Sequence, residues 1–386
     1  MDRREFLKYS SLMSAAGLAP ELAFSANGSI PEKIVVLVEL KGGNDGFNTL
    51  VPYRDPAYKK LRPTIHIPEK RVLTLAQGNM GMHPNLTELM KVWNQGDMAW
   101  VQGLGYQGAV LSHFRSMDIW DSGSNANQFI SDGWLSQVLP NYKAGLHGIC
   151  VSPDGSSLGP LQSANMNSVA MQSPRMFVNQ SRSIQDVTPV NSTAALAHLT
   201  TTQHQLFQAG QQLREKMTRS LKQKTRSNSK GAFGHSLNSV AQMITAGIDC
   251  PVYKVTQDGF DMHSGQTGRH NNNLYQVNHS LGQFVHKMKQ QGLWDRIVIM
   301  SYSEFGRRAA ENRAGGTDHG TASAQFVMGG GIRGGLYGQH PNMEQLDPNG
   351  NVAHTTDFRQ MYATMAQRVW RQGNHPWQGH KTIPFV

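Results

Sequence analysis

The chain has 386 residues, enough to bury a large core as one big domain or two small ones, and its composition is that of a globular protein. Two cysteines, Cys150 and Cys250, exclude a disulfide framework; they either pair in an oxidising compartment or stay as buried thiols. The net charge of +10 is concentrated between Leu213 and Lys230, where seven Lys or Arg face one Glu. No aromatic residue is interleaved there, which argues against a nucleic-acid stacking surface and favours a solvated helical face or mobile loop.

In chain order, the first segment is "MDRREFLKYSSLMSAAGLAPELAFSANG". Arg3 and Arg4, then Phe6, Leu7 and Lys8, a modest apolar run and the small residues up to Ala26 match a twin-arginine export signal. This predicts residues 1–26 as a signal peptide read by the twin-arginine translocase and residues 27–386 as one mature domain, periplasmic or secreted. The apolar run is shorter than the roughly 18 residues that a membrane span needs, and no later segment qualifies.

The apolar run Ile34 to Leu40, broken by Gly42 and Gly43, predicts a buried parallel-type strand entering a loop. "NLTELMKVWNQGDMAWVQGLGY" predicts an amphipathic helix, a turn at Gly96 and a strand near Met98 to Leu104. Helix-then-strand patterns recur before Val252 to Thr256, Ile297 to Tyr302 and "AQFVM", so the fold class is α/β, a mostly parallel sheet flanked by helices. A Ser-, Gln- and Asn-rich stretch at about 153–230 reads as a polar insertion or cap. The last helix is expected in "TDFRQMYATMAQRVW", with Thr355 or Thr356 as its N-cap.

Ligand sites of doubly wound sheets lie beyond the carboxyl ends of the strands, so the residues each strand runs into carry the functional information. The first strand runs into Asp45, the second into Ser112, His113, Arg115 and Asp118, the third into Asp261, His263 and His270, and the fourth into Glu304 and Arg307. The pair Asp318-His319 instead precedes a strand; alone it reads as a turn or as a ligand pair. Hard divalent cations take carboxylate oxygens and zinc also takes imidazole nitrogen. Asp45, Asp261, His263, Glu304, Asp318 and His319 therefore form a candidate one- or two-metal set for in-line phosphoryl or sulfuryl displacement. Ser112 is either a nucleophile at a helix N-terminus or a simple cap. Arg115 and Arg307 either grip the anion or pair with Asp118 and Glu311.

The segments "GGNDGFNTLVPY", "SHFRSMDIWDSG", "DGWLSQVL", "GFDMHSGQ", "SEFGRR", "GGTDHG" and "TTDFRQMYATM" closely resemble a bacterial family, domain of unknown function 1501. That family looks related to the alkaline phosphatase and sulfatase superfamily. The resemblance implies a metal-binding Asp45, a nucleophilic Ser112 followed by Ser122-Gly123, metal ligands Asp261 and His263, and a final ligand His319. It implies an imidazole after Glu304, where this chain has Phe305, and His270 is a candidate replacement. The implied protein is a metal-dependent phosphatase- or sulfatase-type ester hydrolase using zinc, manganese, magnesium or calcium on a small anionic ester or a sulfated or phosphorylated glycan. The alternative is a non-catalytic periplasmic or surface binding protein on the same fold. An oxidoreductase lacks support, since "GGGIRGG" has neither the spacing nor the acidic partner of a dinucleotide fingerprint.

Overall fold

A computed structural model describes residues 32–386 apart from 77–78, 140–144, 154–157, 164, 190–192 and 223–228. The expected export signal lies outside the described residues, as does part of the basic segment. The described residues divide into two compact units, 32–36 with Ile130–Val255, and Leu37–Phe129 with Thr256–Val386.

The strands are β1 (Ile34–Leu40), β2 (Leu50–Val51), β3 (Leu73–Thr74), β4 (Gly81–Met82), β5 (Met98–Gly105), β6 (Gly148–Val151), β7 (Ser168–Met171), β8 (Val252–Gln257), β9 (Ile297–Tyr302), β10 (Gly306–Arg307), β11 (His319–Gly320), β12 (Ser323–Met328), β13 (Gly335–Tyr337) and β14 (Thr356–Asp357). The α-helices are α1 (Gly46–Thr49), α2 (Pro56–Leu61), α3 (Thr87–Asn94), α4 (His113–Ser122), α5 (Pro174–Ser181), α6 (Ala194–Lys222), α7 (Gly231–Thr245), α8 (Gln266–Gln290) and α9 (Arg359–Thr364). The fold is the expected mostly parallel sheet flanked by helices.

In the unit that begins at Leu37, strand order is β13-β5-β12-β9-β1, with β14 beside β5. Strands β13 and β14 run parallel to β5, whereas β12 is antiparallel to both β5 and β9. Every residue of β1, β5, β9 and β12 is buried, which is why these segments read as mainly apolar runs rather than alternating ones, with Glu39, Gln102, Ser301 and Gln325 among the buried polar exceptions. Two helices pack beside them. The carboxamide oxygen of Asn278 in α8 accepts from Glu88 N at 2.8 Å and Leu89 N at 3.1 Å, so α3 borrows its N-terminal cap from another helix. A small sheet, β2-β4-β3, lies with an apolar cluster that includes Phe47, Tyr58, Ile67 and Met343.

In the other unit β6 pairs in parallel with β7 and β8. The expected polar insertion falls here and supplies β7, α5 and α6. Cys150 and Cys250 are buried with no disulfide between them, and burial pushes the Cys250 thiol up. No helix of the described residues is long and apolar enough to cross a membrane.

The expected cap of the last helix is corrected. Thr356 lies in β14, and Thr355 Oγ1 donates to Gln339 O at 2.6 Å. The N-cap is Phe358, which makes no side-chain cap bond; from one residue earlier Asp357 Oδ1 accepts from Arg359 N at 2.9 Å, and α9 then passes into a π-helical turn at Met365–Val369. Thr355 has its hydroxyl committed to Gln339 O, so the N–H of Arg359 is met by the nearby Asp357 carboxylate instead.

Candidate functional site

The loop after β1 is built on two glycines in the left-handed region. A Cβ on Gly42 (φ 113°) would stand 2.4 Å from Asp261 N, and one on Gly43 (φ 71°) would stand 2.3 Å from the Phe305 ring. Gly42 N donates to the Glu304 carboxylate at 2.9 Å, so the loop, the start of the Asp261 segment and the end of β9 are drawn together. The Phe305 ring then forms an apolar floor under two imidazoles. Its centroid lies 4.8 Å from that of His113 and 4.4 Å from that of His319.

His113, Asp261 and His319 present one ligand atom each within 4.8 Å of one another, the arrangement of a possible three-residue metal site. The hydrogen bonds behind them fix how the donors point. His319 Nδ1 lies 2.8 Å from Leu111 O, and because a carbonyl only accepts, the assignment puts the proton on Nδ1. Burial, with the Arg307 charge, holds His319 below the usual histidine range. The Nε2 atom faces Asp261 Oδ1, 3.3 Å away.

His113 is arranged the same way. Its Nδ1 lies 2.8 Å from Glu304 Oε1, and its Nε2, shielded from solvent, makes no hydrogen bond among the described residues and lies 3.4 Å from Asp261 Oδ2. The Glu304 hydrogen bond raises the His113 pKa despite partial burial. Burial would raise the Glu304 carboxyl, but the His113 hydrogen bond and backbone N–H donors hold it low. For Asp261, burial pushes up while the Arg307 hydrogen bond and charge push down further, to about 2. A carboxylate ionised at neutral pH thus meets two imidazoles whose far nitrogens are held by an acceptor, the arrangement that orients metal-ligating histidines. The donor set fits a divalent cation of the zinc type.

His263 adjoins this cluster. Its Nε2 lies 3.0 Å from both Asp261 Oδ1 and His319 Nε2, and its Nδ1 lies 3.3 Å from Asp318 Oδ1. Asp318 is kept below the usual carboxylate range by the Asn312 carboxamide and by His263. The expected residues Asp261, His263, Asp318 and His319 are thus brought together.

Asp45 and Glu304 are placed differently. Buried Asp45 accepts from Phe47 N at 3.2 Å and from the Gln266 carboxamide, and closes a 2.6 Å ion pair with the fully buried Arg62. Burial alone would raise its pKa, but the Arg62 charge and hydrogen bond outweigh it. Both Asp45 oxygens are occupied by protein donors. Glu304, also buried, faces Gly42 N and His113 and reaches the cluster only through that imidazole.

Ser112 is the exposed N-cap of α4 and makes no side-chain cap bond; Leu111 O and His113 on either side of it both touch the cluster. Arg307 is buried and donates to Gly43 O, Thr317 O, Gly42 O, Phe260 O and Asp261 Oδ1. It pairs with neither an open anion site nor Glu311, whose carboxylate accepts from Thr64 N and Ile65 N. Arg115 donates to Ala126 O at 3.0 Å and to Gln128 O, rather than pairing with Asp118. His270 does not supply the imidazole absent at Phe305: it is buried, bonded to Asn44 Oδ1 at 3.1 Å, and burial lowers its pKa to about 4. The imidazole beside Glu304 comes from His113, in another element. Its only sequence signal was its place directly after Ser112 at a strand end.

The family model described as "Protein of unknown function (DUF1501)" matches residues 125–376. No curated protein matches the chain in sequence. Among solved structures, a protein in the alkaline phosphatase superfamily from Vibrio parahaemolyticus is 11% identical with a TM-score of 0.44, covering 99% of this chain and 78% of that one. The C-terminal periplasmic domain of EcEptC from Escherichia coli, in complex with zinc, is 9% identical with a TM-score of 0.37, covering 81% and 77%. The PsFucS1 sulfatase from Pseudoalteromonas sp. is 11% identical with a TM-score of 0.38, covering 89% and 68%.

Proposed function

The chain belongs to the DUF1501 family, and from that premise and the donor cluster we propose that it is a metal-dependent hydrolase of phosphate or sulfate esters. The observation that carries the proposal is the convergence of His113 Nε2, Asp261 and His319 Nε2, each imidazole held from behind by an acceptor. A bound divalent cation (zinc, manganese, magnesium or calcium) would polarise a non-bridging ester oxygen as a Lewis acid. His113, Asp261 and His319 would hold it, with His263 and Asp318 alongside. Ser112, exposed and with its hydroxyl free of a capping bond, is assigned the attack on phosphorus or sulfur. Phe305 keeps water from the rear of the two imidazoles. The pattern around Arg3 and Arg4 supports export by the twin-arginine translocase and a periplasmic or secreted site of action on a small anionic ester or a sulfated or phosphorylated glycan.

One observation favours a second reading, a non-catalytic binding protein on the same fold. The Arg307 guanidinium, expected to grip the anion, is spent on four backbone carbonyls and Asp261. Metal-loaded protein assayed on aryl phosphates and aryl sulfates separates the two. Hydrolysis that disappears in Ser112→Ala and in His319→Ala supports the enzyme. Metal binding without turnover of any ester supports the binding protein, and stable protein that takes no metal contradicts both the site and the enzyme.

A further inference from the structure

Phe114 and Phe129 are 89% and 83% exposed, and no other described large hydrophobic residue exceeds 45%. Single exposed apolar residues are ordinary. These two, however, share one neighbour and one location. Phe114 directly follows His113, and the Arg115 guanidinium carbon stands 3.9 Å from the Phe129 ring centroid, a cation–π contact. Arg115 Nη2 donates to Ala126 O and Gln128 O, whereas Nε and Nη1 make no hydrogen bond among the described residues. The fork is thus anchored by one nitrogen and keeps N–H donors for an incoming oxygen anion.

The segment that leads into Phe129 is tied down. Gln128 N donates to Asn125 O at 3.0 Å, Asn125 N donates to Gln128 Oε1 at 3.2 Å, and Arg359 Nη1 donates to Asn125 Oδ1. The Phe129 ring and the partly free Arg115 guanidinium, two residues along α4 from His113, are therefore held in place, with the Phe114 ring open to solvent between His113 and Arg115 in sequence, so ordering of Arg115 and Phe129 costs little on binding.

We infer that Phe114, Arg115 and Phe129 form a subsite for a ring with a flat apolar face that carries the anionic ester. An aryl ring and a sugar ring share that chemistry. The phenyl faces take the ring, and the Arg115 N–H groups take its anionic or hydroxyl oxygens. As a substrate subsite this rests on the proposed ester hydrolase, whereas ring binding itself does not require turnover.

The test is calorimetric titration of the metal-loaded full chain with phenyl phosphate, glucose 6-phosphate and glycerol 3-phosphate, the last having no ring. At least one ring ligand is expected to bind about 3- to 10-fold more tightly than glycerol 3-phosphate, the fold-change equivalent of one aromatic contact. Phe114→Ala and Phe129→Ala should each remove that preference and leave glycerol 3-phosphate affinity unchanged; both side chains are exposed, so folding is spared. A preference for phenyl phosphate alone identifies aryl esters, and one for glucose 6-phosphate alone identifies sugars. Equal affinity for all three, binding of none, or a ring preference that survives both substitutions overturns the subsite. Ring preference without hydrolysis of any ester leaves the subsite standing and removes the hydrolase. Hydrolysis indifferent to Phe114 and Phe129 does the reverse.

Discussion

Asp45 and Asp261 each follow a strand end, and each faces a buried arginine, Arg62 at 2.6 Å and Arg307 at 2.8 Å. They differ in what fills the rest of their surroundings. Asp45 is 2% exposed and both its oxygens are taken by a guanidinium, a carboxamide and a backbone N–H. Asp261 is 45% exposed in its side chain and faces three imidazoles, whose unprotonated ring nitrogens offer lone pairs. A carboxylate closed off by a permanent cation is a structural element; one lined by imidazole nitrogens stays available to a cation. The residue type and its place after a strand are the same in both, so neither decides the role.

The largest test of this contrast is Arg62→Met. It leaves the buried Asp45 charge uncompensated and should destabilise the fold by about 3–5 kcal/mol in denaturant unfolding, whereas adding Asp45→Leu should recover most of the loss. Asp45 titrates below its ordinary value in the folded state. The stabilisation from the pair is therefore complete above the unfolded-state value of about 4 and is lost as pH falls through the folded one. The stability gap between wild type and Arg62→Met should shrink accordingly below about pH 4. A gap that is flat across that range would remove the ion pair from the account.

On the other side of the comparison, His319→Ala should lower zinc affinity by more than about 100-fold, beyond the 10–100-fold typical of losing an outer partner. Glu304→Gln, which touches the cluster only through His113, should fall within that smaller range of about 10–100-fold. It should also move the acid limit of zinc binding. Glu304 is the main cause of the raised His113 pKa, so without its charge protons compete for His113 only at lower pH. Equal losses for the two variants would place Glu304 among the ligands themselves.

Much of the sheet was legible because β1, β5, β9 and β12 are buried on both faces, and double burial leaves a mainly apolar run with few polar interruptions in sequence. Asp261 and His263 were marked as candidates by their place after a strand, and His319 by its place before one. Arg62 was not legible: its charge is used between Asp45, Asn48 and the carbonyls of Arg308 and Ala309, partners up to 247 positions away, and no local pattern marks such a residue. His113 was visible as a strand-end residue but not as a donor, because its role depends on a Glu304 carboxylate 191 positions away. The substitution at Phe305 reads differently with His113 in place. The ring that stands where an imidazole was expected supports two imidazoles from other segments.

Calorimetric titration of metal-free protein with zinc tests the central claim most directly. One ion per chain, lost in His319→Ala and retained in the Asp45→Leu/Arg62→Met pair, is the predicted result. Two ions per chain with one lost in that paired variant would restore Asp45 as a ligand and contradict the account, and so would the absence of any binding.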